Sequence, residues 1–202
     1  MPSAPSGAEP VPPEPGHPDR LRWNARYAEG RAPSFTPHPL AVRALALALP
    51  DGPVAELACG PSGAALLAAA GGRPVTAVDV SDVALGLLGD EAGRRGLGPL
   101  ITLVHADLSA WHAQPGSYAL VLCTGFWERA VFAAALEAVA GGGLLAWEAL
   151  TTQARLARPT LPEHWCLATG EPACLLPAGF TVIDQGDVPG DRRQLLARRA
   201  GR

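Results

Sequence analysis

The chain has 202 residues, a formal net charge of −3, and sixteen arginines but no lysine. That length suits one domain of ordinary size, and the missing lysine excludes a Walker-type phosphate site, a Schiff-base mechanism and the Tyr-x-x-x-Lys pair of short-chain dehydrogenases. The mild acidity offers no basic face for nucleic acid, so the expected partner is a small molecule. The four cysteines form no C-x-x-C pair, and no His/Cys spacing suggests a metal site. The first residues lack a basic n-region and an apolar h-region, and nowhere do 18 apolar residues run together. A cytoplasmic protein with no membrane partner is the expectation.

Residues 1–20 carry seven prolines and few large apolar side chains, so a disordered tail is expected there, followed by one domain over 21–202. "PHPLAVRALALAL" reads as a helix, with Pro39 in the first turn and Pro50 ending it. From Pro53 onward strands and helices alternate. Short apolar runs at 54–58, 75–79, 101–104, 118–123 and 143–147 read as strands buried on both faces of a parallel sheet. Helical stretches fall at 63–70, 82–95 and 127–139, with Ser81 as a cap for the second and Gly141 as a stop after the third. "FTVIDQGDV" and "RRQLLARRA" are two further strands whose short link permits only antiparallel pairing. The pattern is α/β: a doubly wound, mostly parallel seven-stranded sheet with an antiparallel last strand.

Ligands of such sheets sit beyond the carboxyl ends of the strands. The acids collect at those ends: Asp79, Asp107, Glu128 and Glu148 follow successive strands, and Glu56 lies within the first. "LACGPSGAAL" interrupts the first strand–helix passage with Gly60, Pro61, Ser62 and Gly63. Glycine lets a ligand approach the backbone closely, and the following helix offers free N–H groups to an anion. Asp79 stands 19 residues after Gly60, near the spacing of an acid that grips a ribose. The dinucleotide pattern G-x-G-x-x-G is incomplete, because Ser62 holds the middle position and Ala65 the last. That disfavours an NAD-dependent oxidoreductase.

"VAELACGPSGAALLAAAGGRPVTAVDVSDVAL", with "HADLSAW", "YALVLCTGFWER" and "GGGLLAWEAL", resembles the class I S-adenosylmethionine-dependent methyltransferases. Within them it is similar to the small bacterial branch of tellurite-resistance and thiopurine methyltransferases. "WNARYAEG" is similar to the segment that closes over the cofactor in that branch. The resemblance implies a Rossmann-like fold and S-adenosyl-L-methionine as cofactor. It implies that Glu56 contacts the methionine amino group, that Ala58, Cys59, Gly60 and Ser62 line the methionine, and that the Ser62 hydroxyl can serve its carboxylate. Asp79 would take both ribose hydroxyls and Val80 would pack on adenine. Asp107 and Leu108 would read the adenine edge, and Cys123 and Thr124 would lie beneath the sulfonium. Trp23 and Tyr27 would cover the site or anchor the core.

A soft acceptor such as a thiolate needs no catalytic base, whereas a hydroxyl acceptor needs one within hydrogen-bond reach. The catalytic residue is unknown at this level; Glu128, Arg129 and Glu148 lie on the acceptor side by topology. "CTGFWER" replaces the [D/N]-P-P-[Y/F] tetrapeptide of nucleic-acid amino methyltransferases, and no Pro-Cys pair occurs. Residues 151–179 break the strand–helix rhythm and form the expected acceptor wall, where Trp165 and Leu167 either supply an apolar face or pack in the core. His105 is expected to be structural. A non-catalytic cofactor-binding regulatory or scaffold module is the alternative reading.

Overall fold

The structure, a computed structural model, describes residues 12–29 and 32–201. Seven strands form one sheet: β1 (Val54–Leu57), β2 (Val75–Asp79), β3 (Ile101–His105), β4 (Tyr118–Thr124), β5 (Val139–Leu150), β6 (Phe180–Val188) and β7 (Arg192–Arg199). Their spatial order is β3-β2-β1-β4-β5-β7-β6. The pairs among β1 to β5 are parallel. β7 lies antiparallel between β5 and β6, so it alone runs against the rest. The order reverses at β1 and β4, which puts a crevice at their carboxyl ends.

Helices cover both faces: α1 (Pro18–Ala28), α2 (Pro39–Leu45), α3 (Gly63–Ala70), α4 (Asp82–Arg94), α5 (Arg129–Ala138) and the single turn α6 (Ala154–Ala157). Alternation along the strands divides the core. Ala55, Leu57, Val121, Leu145 and Trp147 face Val131, Phe132 and Ala135 of α5. Trp147 meets Phe132 and Trp127 edge-on, at 5.1 and 6.3 Å between ring centroids, the geometry that the aromatic quadrupoles favour. On the other face, Val54, Leu120, Leu122 and Leu144 pack on Leu40 and Ala44 of α2, Leu66 of α3 and Leu88 of α4. The small side chains of α3 let it lie close to the sheet. The glycine-containing α4 is capped by the Ser81 hydroxyl, which accepts from Ala84 N at 3.1 Å.

Several boundaries differ from the sequence reading. Residues 1–11 of the expected tail lie outside the described residues, and a helix already begins at Pro18. α2 stops at Leu45, well before Pro50, because the apolar stripe of Leu40, Ala41 and Ala44 ends there. α5 runs directly into β5 at Val139, so Gly141 lies inside the strand and is not a helix stop. Gly143 is required there by close approach: an added Cβ would stand 2.8 Å from the Ala119 carbonyl. Among the described residues, no helix is long and apolar enough to cross a membrane.

Candidate functional site

The turn after β1 is the most constrained backbone of the crevice. Ala58 has φ +49° and Gly60 φ +56°; a left-handed alanine is uncommon, and such strain concentrates at functional positions. Ser62 sits at φ −85° in extended backbone, so glycine is not needed there. Its hydroxyl donates to the Glu56 carboxylate, 2.6 and 2.7 Å from the two oxygens. The same oxygen accepts from Ala64 N and Ala65 N, capping α3. In this structure the bonding capacity of the hydroxyl is taken up by Glu56 and the helix cap.

Gly63 answers to a different constraint. An added Cβ would lie 2.3 Å from the Phe35 carbonyl oxygen and 2.6 Å from Thr36 C. The close approach at this glycine is to the chain's own N-terminal segment and not to a ligand. Gly63→Ala is expected to cost about 1–3 kcal/mol in urea unfolding, since backbone must move to admit the methyl group.

Asp79 closes β2 and is 6 % exposed. One carboxylate oxygen accepts from Gly60 N at 2.7 Å and the other from Ser81 N at 2.8 Å. Burial nevertheless raises its pKa, the two backbone donors offsetting this only in part. Glu56 is buried beside it. Burial pushes its pKa up to about 7, against the opposing Ser62 bond, and the nearby Asp79 charge adds to the rise. Two adjacent buried carboxylates whose pKa values are both raised by burial mark a site short of donors or cations.

The N-terminal segment roofs this turn. The Tyr27 hydroxyl lies 2.8 Å from where a Gly60 Cβ would be. Burial, with the Asp79 and Cys59 charges, pushes its pKa up to about 12. Trp23 stacks on Tyr27 at 5.9 Å, and Arg22 and Arg26 lie over the indole. None of the residues of α1 is buried. It is held instead by polar bonds to the start of α4: Arg20 and Asn24 donate to Asp82, and Ser81 donates to Asn24. The hydrogen bond from Arg20 holds the Asp82 carboxyl well below its ordinary range. Trp23 and Tyr27 therefore form a cover over the turn and not part of the apolar core.

The remaining predicted residues divide. Val80 follows Asp79, and its carbonyl meets His105 Nε2 at 3.1 Å, which fixes that histidine structurally. Asp107 is half-buried and accepts from Ser109 N and Oγ, with His17 at 3.4 Å. Leu108 is buried in the core beneath it. Cys59 is part-exposed at the turn, its thiol pKa raised by burial and then by Asp79 and Glu56. Cys123 is buried in the core at the end of β4, its thiol facing the Phe126 carbonyl, and burial raises its pKa, with the Glu56 and Asp79 charges adding to the rise.

At the end of β5, Glu148 was legible in the sequence but its polar partners were not. Glu148 is 2 % exposed and accepts from Arg192 at 2.9 Å and Gln194 at 2.7 Å, with His38 Nε2 at 3.3 Å. Burial pushes its pKa up, but the bonds from His38, Gln194 and Arg192 outweigh this and hold it at about 2. The Nδ1 atom of His38 accepts from Leu40 N, capping α2. His38 was legible only as a residue before Pro39; its partner lies far away in the chain.

Residues 151–179 fold as α6 and two short 3₁₀ turns, Glu163–Trp165 and Ala173–Leu175. Leu167 is a core residue bridged to Thr151, the core-packing alternative of the two expected for it. Trp165 is part-exposed under the Arg22 guanidinium, 4.8 Å away, so this segment meets the N-terminal cover. Glu128 is exposed at the N-cap of α5 without a capping bond, and Arg129 pairs with Glu171. Among the described residues, no group of three potential ligands could hold a metal ion.

Residues 54–143 match the family model of a methyltransferase domain. No match was found among curated proteins. Among solved structures, the chain is similar to one described for the conversion of a disulfide bond into a thioacetal group during echinomycin biosynthesis. The identity is 21%, with 90% of this chain and 91% of that chain covered at a TM-score of 0.69. It is also similar to the CcbJ methyltransferase from Streptomyces caelestis, at 18% identity, 88% and 96% coverage and a TM-score of 0.63. A third is geranyl diphosphate C-methyltransferase from Streptomyces coelicolor A3(2), solved with Mg2+, geranyl diphosphate and S-adenosyl-L-homocysteine. Here identity is 12%, coverage 79% and 78%, and the TM-score 0.65. The chain thus has the Rossmann-like fold of these structures, and the matched domain runs from β1 through β4 into the start of β5.

Proposed function

We propose that this protein is an S-adenosylmethionine-dependent methyltransferase acting on a small-molecule acceptor. The observation that carries the reading is Asp79: a buried carboxylate at the end of β2, bonded to Gly60 N across the crevice where the strand order reverses. The domain match over 54–143 supports it. The residues fit the cofactor. Each Asp79 oxygen keeps lone-pair capacity for a ribose hydroxyl, and the buried Glu56 carboxylate, bonded by the Ser62 hydroxyl, suits the ammonium of the methionine moiety. When bound, the cofactor would supply a methyl group on an activated sulfonium leaving group.

The task left to the protein is to align the acceptor and exclude water. Tyr27, Trp23 and the backbone at Phe35 form the cover that excludes it, and this cover must lift to admit the cofactor. Glu148 is a poor base, being held ionised by three partners. Both nitrogens of His38 are directed to partners, Leu40 N and Glu148. These engagements favour an acceptor that reacts as an anion or through soft sulfur, without a proton taken by the enzyme.

The roof over Gly60 also suits the second reading, a cofactor-binding module without catalysis. Incubation with methyl-labelled cofactor and a panel of thiols, oxyanions and hydroxyl compounds separates the two. Label transfer to at least one compound is expected. Cofactor binding without transfer to any member would favour the module, and no binding would end both readings.

A further inference from the structure

A cavity of about 340 Å³ opens at the same end of the sheet, between the start of α5, Thr152 beyond β5, and the 163–168 stretch. Its floor is Trp127 and Cys166, both buried, and its rim carries Arg129, Glu163 and His164. The floor is continuous with the end of β4. Phe126, next to Trp127, accepts from Trp147 Nε1 at 3.0 Å and faces the Cys123 thiol.

The rim is built to present a cation. Arg129 Nε donates to Glu171 Oε1 at 2.7 Å, and Ala168 N donates to the second oxygen at 2.8 Å. Arg193 donates to the Ala168 and Glu171 carbonyls, fixing the loop from behind. Glu171, 4 % exposed, is thereby committed on both oxygens. The Arg129 side chain is 64 % exposed, and its two Nη groups make no bond among the described residues. Arg129 is thus the arginine that lines the cavity, and the one carboxylate in the lining, Glu163, is already engaged by Arg155. A guanidinium anchored through Nε, with its fork free, matches a carboxylate or phosphate.

We propose that this cavity is the acceptor's anion subsite: it takes a small molecule bearing a carboxylate or phosphate on the Arg129 fork, with its reacting atom toward Thr124 and Gly125. This rests on the methyltransferase reading above and adds the acceptor's chemical class.

The test is isothermal titration of the full chain with benzoate and with phenyl phosphate, alongside S-adenosylhomocysteine, in wild type, Arg129→Gln and Arg129→Lys. Saturable binding of at least one probe is expected. It should weaken roughly ten- to a hundredfold in Arg129→Gln and by an intermediate factor in Arg129→Lys, which keeps the charge but not the fork. Binding of S-adenosylhomocysteine should be equal in all three. The better probe then tells carboxylate from phosphate. Should Arg129→Gln fail to fold in a melting scan, Arg129→Lys decides. No saturable binding in wild type, or binding indifferent to the substitutions, overturns the subsite. Arg129-dependent probe binding without S-adenosylhomocysteine binding overturns its role as an acceptor site, because the methyltransferase reading has then failed while the anion site stands.

Discussion

Asp79→Ala is expected to weaken S-adenosylhomocysteine binding by about a hundredfold, roughly 2.7 kcal/mol, read by isothermal titration. The carboxylate is buried, so each hydrogen bond to it is charge-assisted and worth about 1.5–3 kcal/mol. The Gly60 and Ser81 backbone donors already hold it in place, one on each oxygen, and each oxygen keeps a lone pair for a ligand hydroxyl. The substitution also frees Gly60 N, which loosens the left-handed turn. Unchanged affinity would remove Asp79 from the site and, with it, the geometric basis of the proposed function.

Glu56→Gln is expected to stabilise the cofactor-free protein at pH 8 and not at pH 4.5. The carboxyl has a folded pKa of about 7 against an ordinary 4.5, burial being the main cause. Between those values the folded state binds more protons than the unfolded state, so stability falls as pH rises through the window. Above pH 7 the full cost is present, about 3 kcal/mol from a shift of about 2.5 units. Glutamine removes that cost while still accepting from Ser62, but its amide N–H₂ lacks a matched acceptor, which returns about 1 kcal/mol. The net gain of about 2 kcal/mol should appear as a melting temperature several degrees higher at pH 8. An equal change at both pH values would show that Glu56 does not titrate in this window. The proposed pairing of Glu56 with a ligand ammonium gives a reason for keeping a costly ionised group at this position.

The parts of the fold that the sequence announced are those set by local pattern. Short apolar runs punctuated by glycine and proline marked β1 to β4 within a residue; β1, β2 and β4 are buried on both faces as such runs imply, whereas β3 is the sheet edge and stays partly exposed. The short link between the last two strands dictated antiparallel pairing, as found for β6 and β7. Asp79 and Gly60 were legible because the strand–turn–helix passage fixes their spacing, and the structure joins them by a hydrogen bond. The ends of α2 and α5 were not legible, since tertiary packing and not propensity decides where those helices stop. α1 buries none of its residues, and polar bonds to Asp82 and Ser81 hold it.

What the sequence by itself determined is the order of the β1 to β5 units, the acids at their carboxyl ends and the exclusion of lysine chemistry. Tertiary structure alone decided which groups share a neighbour. It gave Gly63 to the Phe35 backbone, the Ser62 hydroxyl to Glu56, and Glu148 to His38 and Arg192. It turned Cys123 into the core and left the Arg129 fork free. The physical reason is that hydrogen-bond partnership and burial depend on distances across the fold, and residues far apart in the chain carry no local signal of them.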